Sequence, residues 1–73
     1  MENLDRKKLG ERLKSLRKEK NLGQNALAQA INVSNASLSY WETGKQEPCA
    51  EALFKLAVFF NVSADDILGI TDY

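Results

Sequence analysis

Two residue types that enzymes often use in catalysis, histidine and cysteine, are absent or nearly absent from the sequence. Its 73 residues include no histidine and a single cysteine, and no glycine-rich phosphate loop or metal-ligand spacing occurs among them. The neighbouring acids Asp65 and Asp66 suit the positive end of a helix dipole rather than acid–base catalysis. Because no nucleophile, general base or metal site can be nominated, we expect that the chain is not an enzyme and uses no metal or cofactor.

Long apolar segments and secretory signals are also missing. The longest apolar run, at residues 56–60, is too short to span a bilayer. The first eight residues contain no apolar segment of the kind that a signal peptide requires. A single cysteine cannot form an internal disulfide, which is typical of reducing compartments. We therefore expect a cytoplasmic protein.

The composition that remains is that of one small globular domain. Hydrophobic residues make up 44% of the chain and charged residues 27%, and a domain of this size can fold alone. The net charge is zero, but residues 1–20 carry eight basic and four acidic groups, whereas residues 50–73 carry one and four. This distribution predicts a single domain over residues 1–73 that is basic at one end and acidic at the other.

Helical periodicity and capping residues predict five short helices and no strand. The first begins at an Asn3 or Asp5 cap and ends near Lys20; the others cover about 24–31, 35–43, 50–60 and 64–68. Asn32 and Asn61 are expected to be left-handed residues after helices, and Gly44 and Gly69 to end helices.

Two further residues stand out within this pattern. Gly10 lies inside the first helix, where glycine costs about 1 kcal/mol relative to alanine, and we interpret it as a point of close approach by another helix. Cys49 stands at the start of the fourth helix, where it is a weaker cap than Ser or Thr. A packing cysteine and a redox sensor both remain open for Cys49.

The third helix has an uncharged outward surface. On a helical wheel, Leu38 and Trp41 form its buried side. The opposite arc consists of Asn35, Ala36, Ser39 and Tyr40. A face with one amide, one methyl, one hydroxyl and one phenol suits a partner that approaches closely, such as the major groove of DNA. An ordinary polar surface helix fits the composition of this arc equally well.

The order of the residues favours DNA. The relevant residues are Leu13-Lys14-Ser15-Leu16-Arg17; Gln24, Leu27, Ala28 and Ile31-Asn32-Val33-Ser34; Leu38-Ser39, Trp41-Glu42, Gly44-Lys45 and Pro48; then Leu53, Leu56-Ala57, Val62-Ser63 and Ile67-Leu68-Gly69. In this order and at this spacing, over about residues 9–69, the chain resembles the phage repressor and Cro-type helix-turn-helix family. The resemblance implies an all-α, compact five-helix, lambda-repressor-like domain, with its helix-turn-helix at residues 24–43, that binds double-stranded DNA and regulates transcription, most often as a repressor.

The resemblance also implies roles for individual residues. The third helix would lie in the major groove, with the second across the backbone. The residues expected at base edges are Asn35, Ala36, Ser39 and Tyr40, with Gln24 near the backbone and the first base. Those expected at phosphates are Ser34, Ser37, Thr43 and Lys45. Arg17 and Glu42 match a family pair that forms a salt bridge between the first helix and the end of the third.

The fourth helix is apolar on almost every side, which is usual for a helix that is buried all round. Either the first and fifth helices cover it, or part of it faces a second subunit. The resemblance implies dimerisation through the fifth helix and its flanking loop, which offer Val62, Ile67, Leu68, Ile70 and Tyr73. We predict a homodimer on a pseudo-palindromic operator whose half-sites lie about 10 bp apart; a monomer is the alternative.

A different use of the same helices also remains open. The neutral overall charge is compatible with a protein–protein interaction module, such as an antitoxin-like partner or a coactivator. Nothing in the sequence indicates a small-molecule ligand or a membrane partner.

Overall fold

The computed structural model describes residues 3–70, which form five α-helices and no strand. The helices are α1 (Arg6–Glu19), α2 (Gln24–Ala30), α3 (Asn35–Thr43), α4 (Ala50–Phe60) and α5 (Ala64–Leu68). The predicted all-α fold is confirmed. Both α1 and α2 end one residue earlier than predicted, because Lys20 and Ile31 are their C-caps. No helix within residues 3–70 is long and apolar enough to cross a membrane.

Three helices begin at a side-chain cap. Asp5 accepts a hydrogen bond from the Lys8 amide at 3.0 Å, and Ser34 and Ser63 accept equivalent bonds at 3.0 Å and 3.1 Å. Cys49 occupies the N-cap of α4 without a side-chain hydrogen bond, as expected for a thiol in place of a hydroxyl.

Left-handed residues set the lengths of the loops. Asn32 and Asn61 have φ of 58° and 57°, as predicted, and Asn21 after α1 has the same conformation with φ of 58°. Asparagine tolerates this region better than other non-glycine residues. Gly44 and Gly69 end α3 and α5 with φ of 81° and 83°. A left-handed residue therefore follows each of the five helices.

The core draws on all five helices. Its buried members are Leu9, Leu13, Leu16, Leu27, Ala28, Ile31, Leu38, Trp41, Ala52, Leu56, Phe60 and Ile67. The contact between α1 and α3 is especially close, because a Cβ added at Gly10 would lie 2.4 Å from the Trp41 carbonyl oxygen. The predicted close approach at Gly10 is confirmed. Helix α3 is thus held against α1 by backbone contact.

An ion pair fixes α5 to α1. Arg12 donates from Nε to Asp66 Oδ1 at 3.2 Å and from Nη2 to Asp66 Oδ2 at 2.8 Å. This hydrogen bond raises the pKa of Arg12 above its ordinary value. The amide of Asp66 donates to the Ser63 hydroxyl at 3.1 Å, whereas its carboxylate binds Arg12 on α1.

Candidate nucleic-acid interface

The turn between α2 and α3 is held by backbone hydrogen bonds and a buried apolar contact. The amide of Asn32 donates to the Gln29 carbonyl at 3.2 Å, and that of Val33 donates to the Ala28 carbonyl at 2.9 Å. Ala28, on α2, and Leu38, on α3, are both in the core below the turn. The two helices therefore form a rigid pair with one side of α3 left uncovered.

The uncovered side of α3 contains the four residues predicted to face base edges. Asn35 and Ala36 are exposed in its first turn, and Ser39 is half-buried. Tyr40 keeps 43% of its surface exposed. The structure thus brings all four onto one accessible surface, which we call the α3 face (Asn35, Ala36, Ser39 and Tyr40).

Three hydroxyl groups flank the α3 face, and their hydrogen bonds differ. Ser34 accepts from the Ser37 amide at 3.0 Å and donates to Ser37 Oγ at 2.9 Å, which leaves the Ser37 hydroxyl hydrogen available. The Thr43 hydroxyl donates to the Ser39 and Tyr40 carbonyls at 2.9 Å and 3.3 Å. Of the three, Ser37 is the best placed to donate to a phosphate, and Thr43 would first have to break its bond to the helix.

Lys45 is positioned by Tyr40. Its amide donates to the Tyr40 carbonyl at 2.9 Å, and its ammonium lies 5.8 Å from the centroid of the Tyr40 ring. The geometry is that of a cation–π contact, which contributes about 0.5–1 kcal/mol at exposed sites. The contact holds a cation beside the α3 face, next to the largest side chain of that face.

A buried ion pair connects the helix-turn-helix to α1. Arg17 donates from Nε to Glu42 Oε2 at 2.7 Å and from Nη2 to Glu42 Oε1 at 3.0 Å. The two side chains are only 10% and 2% exposed. The hydrogen bond to Glu42 raises the pKa of Arg17 above its ordinary value. The salt bridge expected from the sequence is therefore present, and it joins α1 to the last turn of α3.

Gln24 belongs to the same network. Its Nε2 donates to Glu42 Oε1 at 3.0 Å, and the residue is half-buried. One N–H group of the amide is thus used within the protein. The remaining N–H and the amide oxygen are left for the predicted contact with DNA, from a side chain whose orientation Glu42 fixes.

The residues predicted to form a dimer interface are not all accessible. Ile67 is fully buried in the core, so its assignment to the interface was wrong: it is the buried residue of α5, which packs on α1 and α4. Val62 and Leu68 are half-buried against the core, and Ile70 is 56% exposed. Tyr73 lies outside the described residues.

Two exposed apolar residues on α4 were not among the predicted site residues. Phe54 and Val58 are 68% and 64% exposed, one helical turn apart. They border an apolar groove that reaches Leu53, Ala57 and Val62. The signal was present in the sequence, because α4 is apolar on almost every side and a small domain has too few helices to cover it.

Two short helices joined by a tight turn, packed on three others with one face of the second left exposed, define a helix-turn-helix domain. A helix-turn-helix family model matches residues 13–67 of the chain. The chain belongs to this family.

Individual relatives agree with this assignment. The chain is 42% identical over 59 residues to the HTH-type transcriptional activator BcrR of Enterococcus faecalis, but spans only 29% of its length. It is 38% identical over 69 residues to the ImmF control region 10 kDa protein of Bacillus phage phi105, covering 94% of this chain and 76% of that protein.

Among solved structures, the chain is similar to the P22 c2 repressor protein in complex with a synthetic operator. The TM-score is 0.79 and the sequence identity 37%, over 82% of this chain and 91% of that one.

Proposed function

We propose that the chain binds double-stranded DNA sequence-specifically and regulates transcription, as a repressor, with α3 in the major groove. The observation that carries the proposal is the α3 face: exposed, uncharged, and held by a buried ion pair and a helix contact at Gly10. A recognition helix must keep its register against the bases, which requires such a rigid support. The similarity to a repressor bound to operator supports the same function. Because bacterial and phage DNA is cytoplasmic, we propose that location too.

The roles proposed within the site follow from exposure and hydrogen bonding. Asn35, Ala36, Ser39 and Tyr40 contact base edges, and Gln24 assists from the start of α2. Lys45 and Ser37 are the main phosphate contacts, with Ser34 and Thr43 secondary because their hydroxyls are already bonded. The amides at the start of α3 add a partial positive charge at the same place.

The function is tested by DNA binding to duplexes selected from a random pool. Fluorescence anisotropy over a salt series should show specific binding that weakens with salt. Alanine at Asn35 should reduce the preference for the selected site by about fivefold or more. Alanine at Lys45 should weaken selected and unrelated duplexes equally and reduce the salt slope by about 1 per protomer.

These measurements test the roles of the residues and the DNA-binding function separately. If the two alanine variants behave alike, the assignment of base and phosphate roles is wrong. If no duplex is bound specifically, DNA recognition itself is wrong, and the protein–protein interaction module becomes the better interpretation of this neutral chain.

We also propose a homodimer, with the apolar surface around Phe54 and Val58 at its interface. The charged residues beside them, Lys55 and Glu51, are paired with each other at 3.4 Å. The surface therefore brings no unpaired charge onto a twofold axis, where it would meet its own copy. A palindromic operator requires the same symmetry.

Replacement of Phe54 by glutamate should weaken the dimer about 30-fold or more, as loss of a central interface residue does. Sedimentation equilibrium measures the dimer constant, with Ser15→Glu on the exposed side of α1 as a control that should not change it. Binding to a duplex with one half-site should survive in F54E. A wild-type chain that stays monomeric at high concentration would refute the dimer. If Ile70→Glu abolishes the dimer and Phe54→Glu does not, the interface lies at α5 instead.

A further inference from the structure

We infer that the α3 face selects A·T pairs, with an adenine at Asn35 and the methyl group of a thymine at Ala36. This inference rests on the proposed function and specifies the class of half-site that the domain reads. It follows from which groups can reach the bases and which cannot.

Guanine is most often read by arginine or lysine, which donate to its O6 and N7 atoms together. Residues 21–44, which contain the whole helix-turn-helix, include neither residue type. The chain has three arginines, all in α1. Each is bound to a carboxylate, Arg6 to Glu47 at 2.8 Å, Arg12 to Asp66 at 2.8 Å and Arg17 to Glu42 at 2.7 Å. The three guanidinium groups are therefore directed to carboxylates outside the α3 face, and none of the three arginines belongs to the helix-turn-helix.

The nearest lysine is at the wrong end of α3. Lys45 follows the helix, and its ammonium lies over the Tyr40 ring. The nine residues of α3 extend about 13 Å at 1.5 Å per residue. A cation beyond the last turn is placed for a phosphate and does not reach the bases that meet the first turn.

The groups in the first turn match an A·T pair. Asn35 is the first residue of α3 and is exposed. Its carboxamide has a donor and an acceptor side by side, which pair with N7 and N6 of adenine together. Guanine offers two acceptors at the same edge, so the amide oxygen of Asn35 would be left without a donor.

The next residue has no hydrogen-bonding group at all. Ala36 is exposed beside Asn35 and offers only its methyl group. The base edge that complements it in the major groove is the 5-methyl group of thymine. Because Asn35 and Ala36 are both in the first turn of α3, we expect the adenine and the thymine to lie within the same few base pairs of the half-site.

Modified bases test each contact separately. In the selected half-site, uracil in place of thymine removes only the 5-methyl group, and 7-deaza-adenine removes only the N7 acceptor. We expect the first to weaken binding about fourfold, the effect of one buried methyl group, and the second about fivefold or more. In the Ala36→Gly variant the difference between thymine and uracil should vanish, whereas Ser39→Ala should retain it.

Two results would overturn the inference while leaving the proposed function intact. One is a selected half-site with G·C pairs at the positions that Asn35 and Ala36 contact. The other is equal affinity for thymine and uracil, and for adenine and 7-deaza-adenine, on a site that is otherwise bound specifically. Failure to bind any duplex overturns the proposed function, so the two failures are distinguishable.

Discussion

Replacement of Glu42 by alanine is expected to lower the free energy of unfolding by about 3–5 kcal/mol. The carboxylate lies in the interior with only 2% of its side chain exposed, and it accepts hydrogen bonds from Arg17 and Gln24. Removing it leaves a buried guanidinium without its partner. A domain of this length has a total stability of about 4–11 kcal/mol, so the variant should lose a large fraction of its stability and unfold at a much lower urea concentration. Urea denaturation followed by circular dichroism measures the effect.

The matched control is Glu51→Ala. Glu51 forms an ion pair with Lys55 at 3.4 Å, but its side chain is 77% exposed. Because solvent screens it, this pair is expected to contribute less than about 1 kcal/mol to the free energy of unfolding, even with the favourable interaction of Glu51 with the helix dipole at the start of α4. Equal losses in the two variants would show that the Arg17–Glu42 pair does not stabilise the fold as its burial implies.

A second comparison separates the charge from the packing. The double variant Arg17→Met with Glu42→Leu replaces the ion pair by apolar side chains of similar length. It should recover most of the stability lost in Glu42→Ala, because the cost of a broken buried pair is mainly that of the uncompensated charge. A double variant as unstable as the single one would indicate that the shape of the pair matters more than its charge.

The parts of the fold that could be predicted from the sequence are those set by local chemistry. Helix α3 has the predicted bounds because Ser34 caps its start and Gly44 adopts the left-handed conformation that ends it. Asn32 and Asn61 could be assigned to left-handed turns for the same reason. Such signals depend on a few neighbouring residues and need no knowledge of the fold.

Contacts between distant segments were harder to predict. Arg12 and Asp66 are 54 positions apart, and no periodicity relates them. The Arg17–Glu42 pair was predicted only through the resemblance to a family. The burial of Ile67 and Phe54 shows the same limit: Ile67, predicted at the interface, is buried, and Phe54, not predicted there, is exposed. A helical wheel groups residues by face, but which face is covered depends on how the helices pack.

The base-facing residues were assigned from both sources together. The wheel places Asn35, Ala36, Ser39 and Tyr40 on one arc, and the structure leaves that arc accessible. The sequence did not predict the hydrogen bonds and contacts of the groups beside this arc. Thr43 is bonded to its own helix, and Lys45 is held by Tyr40. These contacts decide which residues are free to bind phosphate.

Replacement of Gly10 by alanine should destabilise the domain, against the normal preference of helices for alanine. Helix propensity alone would stabilise it by about 1 kcal/mol. The new Cβ would lie 2.4 Å from the Trp41 carbonyl oxygen and 2.6 Å from that of Glu42. Both are backbone atoms that cannot rotate away, so α1 and α3 must separate, at a cost of about 3 kcal/mol, the upper end of the usual cost of overpacking.

The control for this substitution is Gly23→Ala, since an added Cβ there meets no atom within 4 Å. Gly23 is the N-cap of α2 with φ of −77°, a conformation that alanine adopts. The loss of stability in Gly23→Ala should therefore stay below about 1 kcal/mol. Separation of α1 from α3 would also displace Glu42 from Arg17. Gly10→Ala should therefore weaken DNA binding even under conditions where the variant is folded, whereas Gly23→Ala should not. If Gly10→Ala were as stable as the wild type, the contact between α1 and α3 would have to be looser than the structure has it, and α3 would lose its main rigid support.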